Sequence, residues 1–369
     1  MPSATGAAPS VMGLQGLPDL LPSDKANLAD LLPPEGYLSD PEERRKLLGT
    51  PLDRHLGRDH LSHSSIGTYL NCGQKFDFSY ERRLSLISTP APLRLGRAFQ
   101  AAIVAEDPQA GMQMVLDDRQ VFDQRAGEAA QIEAMTVAAA SRYYLDRYGP
   151  PRGEGEYPYR VRLRSPWTGA YSRTFDLLGY ADEFNPDGTD GPELVENKLV
   201  GKMDPKTIQG LALDRQIALS CYGIWRATGL IVRKVRYRWT KKPSIKQRQK
   251  ETFDGYLERL QADYADPERR DFYGHEEVLW RTTEDLVRIE AELWDWAEQL
   301  RNARKRRLWA RDTSRCAEYG GCAFLPICTG DPDALHLYRE RPAEHHDLEL
   351  EVKKASNEEE DTNATRATE

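Results

Sequence analysis

Three stretches between residues 157 and 200 alternate apolar and polar side chains, and they restrict the fold more than any other part of the chain. They are Tyr157–Leu163, Phe175–Phe184 and Glu193–Val200. Alternation with a period of two marks a strand with one buried face. Asn185-Pro-Asp-Gly-Thr-Asp-Gly-Pro192 separates the last two and is built of turn formers. Three hairpin-linked strands are therefore predicted, and the sequence around them has helical texture. Ser64 or Ser65 is a good N-cap for a helix carrying Ile66, Tyr69 and Leu70. Further helices are expected near 93–106 and 126–148, the second ending before Gly149-Pro150-Pro151. A helix over Pro205–Thr228, closed by Gly229, leads to a strand at Val232–Trp239, and helices follow over roughly 252–264 and 282–309. The pattern predicts an α/β core with helical additions.

The net charge of −8 is unevenly spread. Residues 340–369 carry ten acidic and four basic side chains, and residues 1–58 carry eight and six, so the rest balances. We read 1–58 as a mobile arm with one short helix near Pro41–Leu48, 59–339 as the folded body and 340–369 as an acidic disordered tail. No apolar run reaches the roughly eighteen residues of a membrane helix, and no basic region precedes an apolar core at the start. The expectation is a cytoplasmic protein without a membrane partner. Within the body, nine of the eighteen residues from Arg233 to Lys250 are basic and none is acidic. Arg236 and Arg238 share one strand face, Val235, Tyr237 and Trp239 the other, and Lys241 and Lys242 follow. Such a stretch can track a phosphate backbone, with an aromatic ring stacking on a base, or guard a sheet edge with charge. A second basic group, Arg301 to Arg311, precedes the cysteines.

Pairing the second and third alternating strands brings Asp182 beside Glu196, with Lys198 one step along. Two carboxylates so close repel unless a cation sits between them, and hard oxygen ligands suit Mg²⁺ or Mn²⁺. A neighbouring lysine can orient a water or steady a phosphate. On residue pattern alone, a wet strand edge carries the same residues. Five cysteines, an odd number, argue against a disulfide scaffold. Cys316, Cys322 and Cys328 form C-x5-C-x5-C around Gly320-Gly321, Cys72 is the candidate fourth ligand, and Cys221 reads as core. Four thiolates suit Zn²⁺ or a [4Fe–4S] cluster, and buried apolar cysteines are the bland alternative.

The order of these features resembles the PD-(D/E)XK nuclease superfamily, and within it the RecB-like exonucleases with an iron–sulfur cluster, including CRISPR-adaptation and AddB-type nucleases. The matching elements are Leu61-Ser-His-Ser-Ser-Ile-Gly-Thr-Tyr-Leu-Asn-Cys72, Leu95-Gly-Arg-Ala-Phe-Gln100, Gly179-Tyr-Ala-Asp182, Glu196-Asn-Lys198, Gln216 and the terminal cysteines, across about residues 60–330. The resemblance implies a restriction-endonuclease-like core, a mixed central sheet flanked by helices, with a [4Fe–4S] clip joining the ends through Cys72, Cys316, Cys322 and Cys328. It implies that Asp182, Glu196 and the Asn197 carbonyl hold Mg²⁺ or Mn²⁺, with Glu156 nearby, and that Lys198 serves catalysis. Gln100 stands where relatives place a metal-binding His. Relatives carry Gln-x-x-x-Tyr, whereas Gln216 is followed at i+4 by Ser220, so Tyr222 is the nearest tyrosine. Gln216 is expected at the active site, and Tyr222, Arg236, Arg238, Lys241 and Lys242 at DNA. The implied activity is metal-dependent exonucleolytic cleavage at DNA ends or single strands, in recombination, repair or phage DNA processing. A recombination, helicase or CRISPR-adaptation partner fits, since no Gly-x4-Gly-Lys-Ser/Thr motif is present. The departures at residues 100 and 220 leave a second expectation, a catalytically weak scaffold that binds DNA or a partner.

Overall fold

A computed structural model describes residues 59–87, 90–118, 124–202, 204–317 and 321–340. The expected arm, its short helix, residues 341–369 of the acidic tail and Gly320 lie outside the described residues, while Glu340, expected at the start of that tail, is paired in a strand with Leu84. The chain enters through β1 (Asp59–Leu61) and α1 (His63–Asn71). The N-cap is Ser62 rather than Ser64 or Ser65, because Ser62 and Ser65 exchange side-chain-to-backbone bonds in a capping box. A short α2 (Gly73–Phe76) follows, then β2 (Leu84–Leu86) and three helices, α3 (Ala91–Val104), α4 (Pro108–Asp118) and α5 (Gln124–Tyr148).

The alternating stretches become β3 (Glu154–Arg164), β4 (Tyr171–Asn185) and β5 (Glu193–Val200). The helix expected over 205–228 is two. Asp214 caps a new start by accepting from the Ile217 N–H, splitting it into α6 (Pro205–Gly210) and α7 (Arg215–Thr228). The break sets Gln216 in the first turn of α7. Beyond lie β6 (Lys234–Lys241), α8 (Phe253–Ala265), α9 (Arg270–Tyr273), β7 (Gly274–Trp280), α10 (Thr283–Arg306), α11 (Leu325–Thr329) and β8 (Tyr338–Glu340). The sequence patterns do not disclose α4 or β7; Glu276 and Glu277 on β7 interrupt its alternation.

The main sheet is mixed, in the order β1-β4-β5-β6-β7, with β3 also on β4. β1 runs parallel to β4, and β6 parallel to β5, while β3–β4, β4–β5 and β6–β7 are antiparallel. β3 occupies one edge of β4 over nearly its whole length. On the other edge β1 pairs with residues 175–177 and β5 with 183–185, so residues 178–182 face a fork. Helices flank both faces. α7 and α10 cover one, over Phe175, Leu177, Val235, Tyr237, Trp239, Trp225 and Leu293. α3, α5 and α8 build the other, around Phe99, Tyr144 and Leu260. This is an α/β fold with a central mixed sheet flanked by helices.

One packing detail fixes α7 on the sheet. Tyr159 is 2% exposed and fills the gap between two glycines. A Cβ at Gly179 would lie 2.4 Å from its hydroxyl, and one at Gly223 on α7 would lie 2.3 Å from its ring. Gly223→Ala should therefore overpack this contact and cost about 1–3 kcal/mol. Thermal melting reads the loss as a lower Tm, and a wild-type Tm would mean that the helix has room to shift.

Candidate functional site

The β4–β5 ladder ends at the pair Glu183–Val195, one residue short of Asp182 and Glu196. Where the next backbone bond would form, the Asn197 N–H instead donates to Asp182 Oδ2 at 2.7 Å. Asp182 thus closes the ladder with its side chain, opposite Glu196. Glu196 and Lys198 project to the α7 face, where the Lys198 ammonium donates to Glu196 Oε1. Gln216 joins them: its Nε2 donates to Glu196 Oε1 at 2.6 Å, and its Oε1 accepts from Lys198 at 3.1 Å. Glu196 is fully buried, and its Oε2 has no partner among the described residues. The structure brings together Asp182, Glu196, Asn197, Lys198 and Gln216.

Burial, and then the neighbouring Asp182, pushes the Glu196 carboxyl up to about 8. Burial also raises Asp182, against Lys198 and the Asn197 N–H. Burial opposes the Lys198 ammonium, but Glu196 and Asp182 outweigh it and raise its pKa. The centre is a pair of carboxylates that burial holds back from full ionisation, beside a firmly charged lysine.

The opposite face of β5 carries Asn197. Its Oδ1 accepts from the Tyr144 hydroxyl at 2.8 Å, and its Nδ2 donates to Gln100 Oε1 at 3.4 Å. Gln100 Nε2 in turn donates to the Asp182 carbonyl at 3.0 Å. The amide expected to coordinate a cation therefore has its nitrogen on the Asp182 backbone and its oxygen on the Asn197 side chain. Register sets Glu156, exposed and with φ 49°, level with Asp182, between the pairs Gly155–Glu183 and Tyr157–Ala181.

The expected DNA contacts need correction. Tyr222 is fully buried and its hydroxyl donates to Glu290, 3.0 Å away. Arg238 is 8% exposed and donates to Glu276 at 2.7 Å. Arg236 is bound between Glu193 and Glu276 at 2.8 and 2.7 Å. Both arginines are consumed by carboxylates from β5 and β7. Tyr237 and Trp239 lie in the core beneath α7 and α10, so neither is a stacking platform. Lys241 sits over the Phe272 ring and Lys242 is half-buried; these two remain accessible.

Two further groups lie near the site, and local spacing does not place either of them there. Tyr237 is level with Glu196 across the parallel β5–β6 pair, which only register reveals. His63, the first residue of α1, lies close enough for burial, Arg215 and Lys198 to push its imidazole down to about 4.

A second site lies where α1 meets the C-terminal segment. Cys72, between α1 and α2, accepts from the Asp312 N–H at 3.5 Å. Cys72, Cys316, Cys322 and Cys328 line one cavity of about 150 Å³, with Phe78 and Phe324 as apolar wall and Lys75, Arg311 and Arg315 around it. Desolvation, then Cys322, Cys328 and Cys72, raise the Cys316 thiol. Gly321, with φ 112°, makes the turn between the cysteines. The thiols share a cavity, and among the described residues no three His, Cys, Asp or Glu side chains converge on a point as ligands of one ion. Cys221 is buried in the core of α7.

No protein-family model and no curated protein matches the chain. Among solved structures, the chain is similar to a protein from Eubacterium rectale described provisionally as an exonuclease, at 13% identity and a TM-score of 0.43, covering 76% of this chain and 89% of that one. It is also similar to SSO0001 at 13% identity and a TM-score of 0.25, covering 60% and 84%. Likeness this slight says nothing of activity.

The raised Glu196 carboxyl has a measurable consequence in metal-free protein. The folded state holds this proton more tightly than the unfolded chain, so the group favours folding at low pH and loses that contribution as pH climbs from the ordinary carboxylate value towards 8. Glu196→Gln removes the titration. Its Tm relative to wild type, in chelator, should rise steadily between pH 5 and pH 8; a constant difference would refute the shifted group.

Proposed function

We propose that this protein is a divalent-metal-dependent DNA nuclease of the RecB-like kind, cutting phosphodiester bonds at DNA ends or single strands. The observation that carries the reading is the fork itself, where Asp182 and Glu196 stand opposite each other with Lys198 alongside and a buried Glu196 Oε2 that has no partner among the described residues. An orphan carboxylate oxygen beside a second carboxylate fits a hard cation such as Mg²⁺ or Mn²⁺. Asp182, Glu196 and the Asn197 carbonyl are the residues to hold it, with Glu156 at the rim. When bound, the cation supplies Lewis-acid polarisation of the phosphate and a more acidic water. Lys198, fixed by Glu196 and Gln216, is placed to orient the attacking water or to steady charge on the phosphate. Gln216 holds Glu196 and Lys198 in one arrangement. Lys241, level with Val200 two residues beyond Lys198, and the adjacent Lys242 are accessible cations for the DNA backbone.

The four cysteines fit a [4Fe–4S] cluster. A single tetrahedral zinc, with bonds of about 2.3 Å, needs its sulfurs drawn to a point, whereas these line a cavity flanked by three cations that offset thiolate charge. The cluster would be structural, fastening ends 240 residues apart. Recombination, repair or phage DNA processing in the cytoplasm is the setting we propose, with a helicase, recombination or CRISPR-adaptation protein as partner; no helix is long and apolar enough to cross a membrane among the described residues. A binding scaffold is the second reading, and the full engagement of Gln100 favours it.

End-labelled single- and double-stranded DNA with Mg²⁺ or Mn²⁺ separates the two. Asp182→Ala and Glu196→Ala should abolish cleavage with the fold intact, and Lys198→Ala should slow turnover by about 10²–10⁴-fold. Wild-type cleavage by Glu196→Ala would end the nuclease reading.

Anaerobically purified protein should be brown with about four irons per chain. Alanine at Cys72, Cys316, Cys322 or Cys328 should remove the colour, and Cys221→Ala should keep it. Loss of the cluster should not by itself release α1, because the Gln74 N–H donates to the Ala310 carbonyl at 3.1 Å and Arg304 binds Asp59 and Glu81. Limited proteolysis of the bleached variants tests this: rapid cleavage within α1 would make the cluster the sole fastener. One zinc in a colourless preparation would replace the cluster.

A further inference from the structure

Behind the fork runs a hydrogen-bond chain whose donors all point one way. Arg238 Nη1 donates to the Tyr144 oxygen at 2.9 Å, and the Tyr144 hydroxyl donates to Asn197 Oδ1 at 2.8 Å. Asn197 Nδ2 donates to Gln100 Oε1 at 3.4 Å, and Gln100 Nε2 to the Asp182 carbonyl at 3.0 Å. Chemistry compels this direction. A guanidinium has no acceptor, so the Tyr144 oxygen must accept from it and the phenol's single proton must go to Asn197. That choice turns the Asn197 amide so that its nitrogen meets Gln100, which turns the Gln100 amide in the same sense. A phenol keeps its proton at neutral pH, so Tyr144 is a donor there. The origin is anchored too: Arg238 is buried and its Nε is held by Glu276 at 2.7 Å.

The chain ends where the sheet lacks its own bonds. Between Asp182 and Asn197 the β4–β5 ladder has stopped, and a closed ring replaces it: the Asn197 N–H reaches Asp182 Oδ2, while the Asn197 side chain reaches the Asp182 carbonyl through Gln100. Resting on the nuclease reading for its consequence, we propose that Tyr144 and Arg238 are positioning residues that, through Asn197 and Gln100, lock the Asp182 and Asn197 backbone into the geometry that receives the divalent cation. Neither touches the reacting atoms. Their role is to hold still the carboxylate and the carbonyl that do.

The test uses the full-length protein and three variants. Tyr144→Phe deletes the oxygen that links Arg238 to Asn197. Tyr143→Phe is the matched control, since that phenol is equally part of α5 but donates to the Arg270 carbonyl, away from the fork. Gln100→Met cuts the chain at its far end and serves if Tyr144→Phe does not fold. Hydrogen exchange at the Asn197 backbone amide, measured without metal, and Mn²⁺ affinity by EPR are the readouts. Tyr144→Phe and Gln100→Met should each speed Asn197 exchange and weaken Mn²⁺ binding by about tenfold or more, the scale on which supporting shells act. Turnover should fall with KM for DNA unchanged. Tyr143→Phe should lower Tm and leave all three unmoved. Wild-type Asn197 exchange and Mn²⁺ affinity in a folded Tyr144→Phe or Gln100→Met would overturn the proposal. If the wild-type protein neither binds Mn²⁺ nor cuts DNA, the nuclease reading fails by itself, and Asn197 exchange still decides whether the chain holds the fork.

Discussion

The interruption of the β4–β5 ladder is the constraint on which the rest of the site depends. A strand pair that stops leaves N–H and C=O groups facing each other without partners, and a buried one costs about 1–3 kcal/mol. Here the loss is made good by side chains, with Asp182 accepting the Asn197 N–H and Gln100 reaching the Asp182 carbonyl. β1 holds the other end of the opening by pairing with residues 175–177 of the same β4 edge. Two flanking strands and a polar stitch make a gap in the sheet edge that is held open without unravelling, and the carboxylates line it.

How far the sequence reveals this varies by feature. Asp182, Glu196 and Lys198 were legible because a strand's period of two and a short turn suffice to align them. The basic run from Arg233 to Lys250 is legible as charge, but at Arg236 and Arg238 that charge is already paired within the fold. Arg236 and Arg238 share a face, as alternation requires, but the acidic groups that take them come from Glu193 and Glu276. Lys234 likewise lies between Asp190 and Glu193 at 2.6 and 3.2 Å. These partners sit some forty residues away, so a local window sees only the cations. Tyr222 misled for another reason: it is only the nearest tyrosine to the i+4 position that Ser220 occupies, and its place on α7 aims it at Glu290.

The joining of the chain's ends is redundant in a way spacing alone does not disclose. Cysteines at 72 and 316–328 imply closure across the body. The structure adds backbone and ionic closures at the same junction: Gln74 to Ala310, Arg304 to Asp59 and Glu81, and β2 with β8. Gly73 belongs to this set, since a Cβ there would come within 2.9 Å of the Ala310 carbonyl. The close backbone approach is built into α2 and does not wait for a ligand on the sulfurs.

Three consecutive residues, Glu196, Asn197 and Lys198, then divide the labour of the site between the two faces of one strand. Glu196 and Lys198 turn to α7, where Gln216 holds both and where one buried carboxylate oxygen has no partner among the described residues. Asn197 turns to α3 and α5, where every polar atom of its amide is engaged. The contrast has a physical sense. A carboxylate oxygen left bare in a low dielectric raises the energy of the protein alone and would be satisfied by the cation proposed above, whereas an amide left bare on the opposite face would let the strand shift and blur the position of that oxygen. Within the described residues, then, the Glu196 carboxylate keeps one oxygen unpartnered on the α7 face, while the Asn197 amide behind it is held at both of its polar atoms.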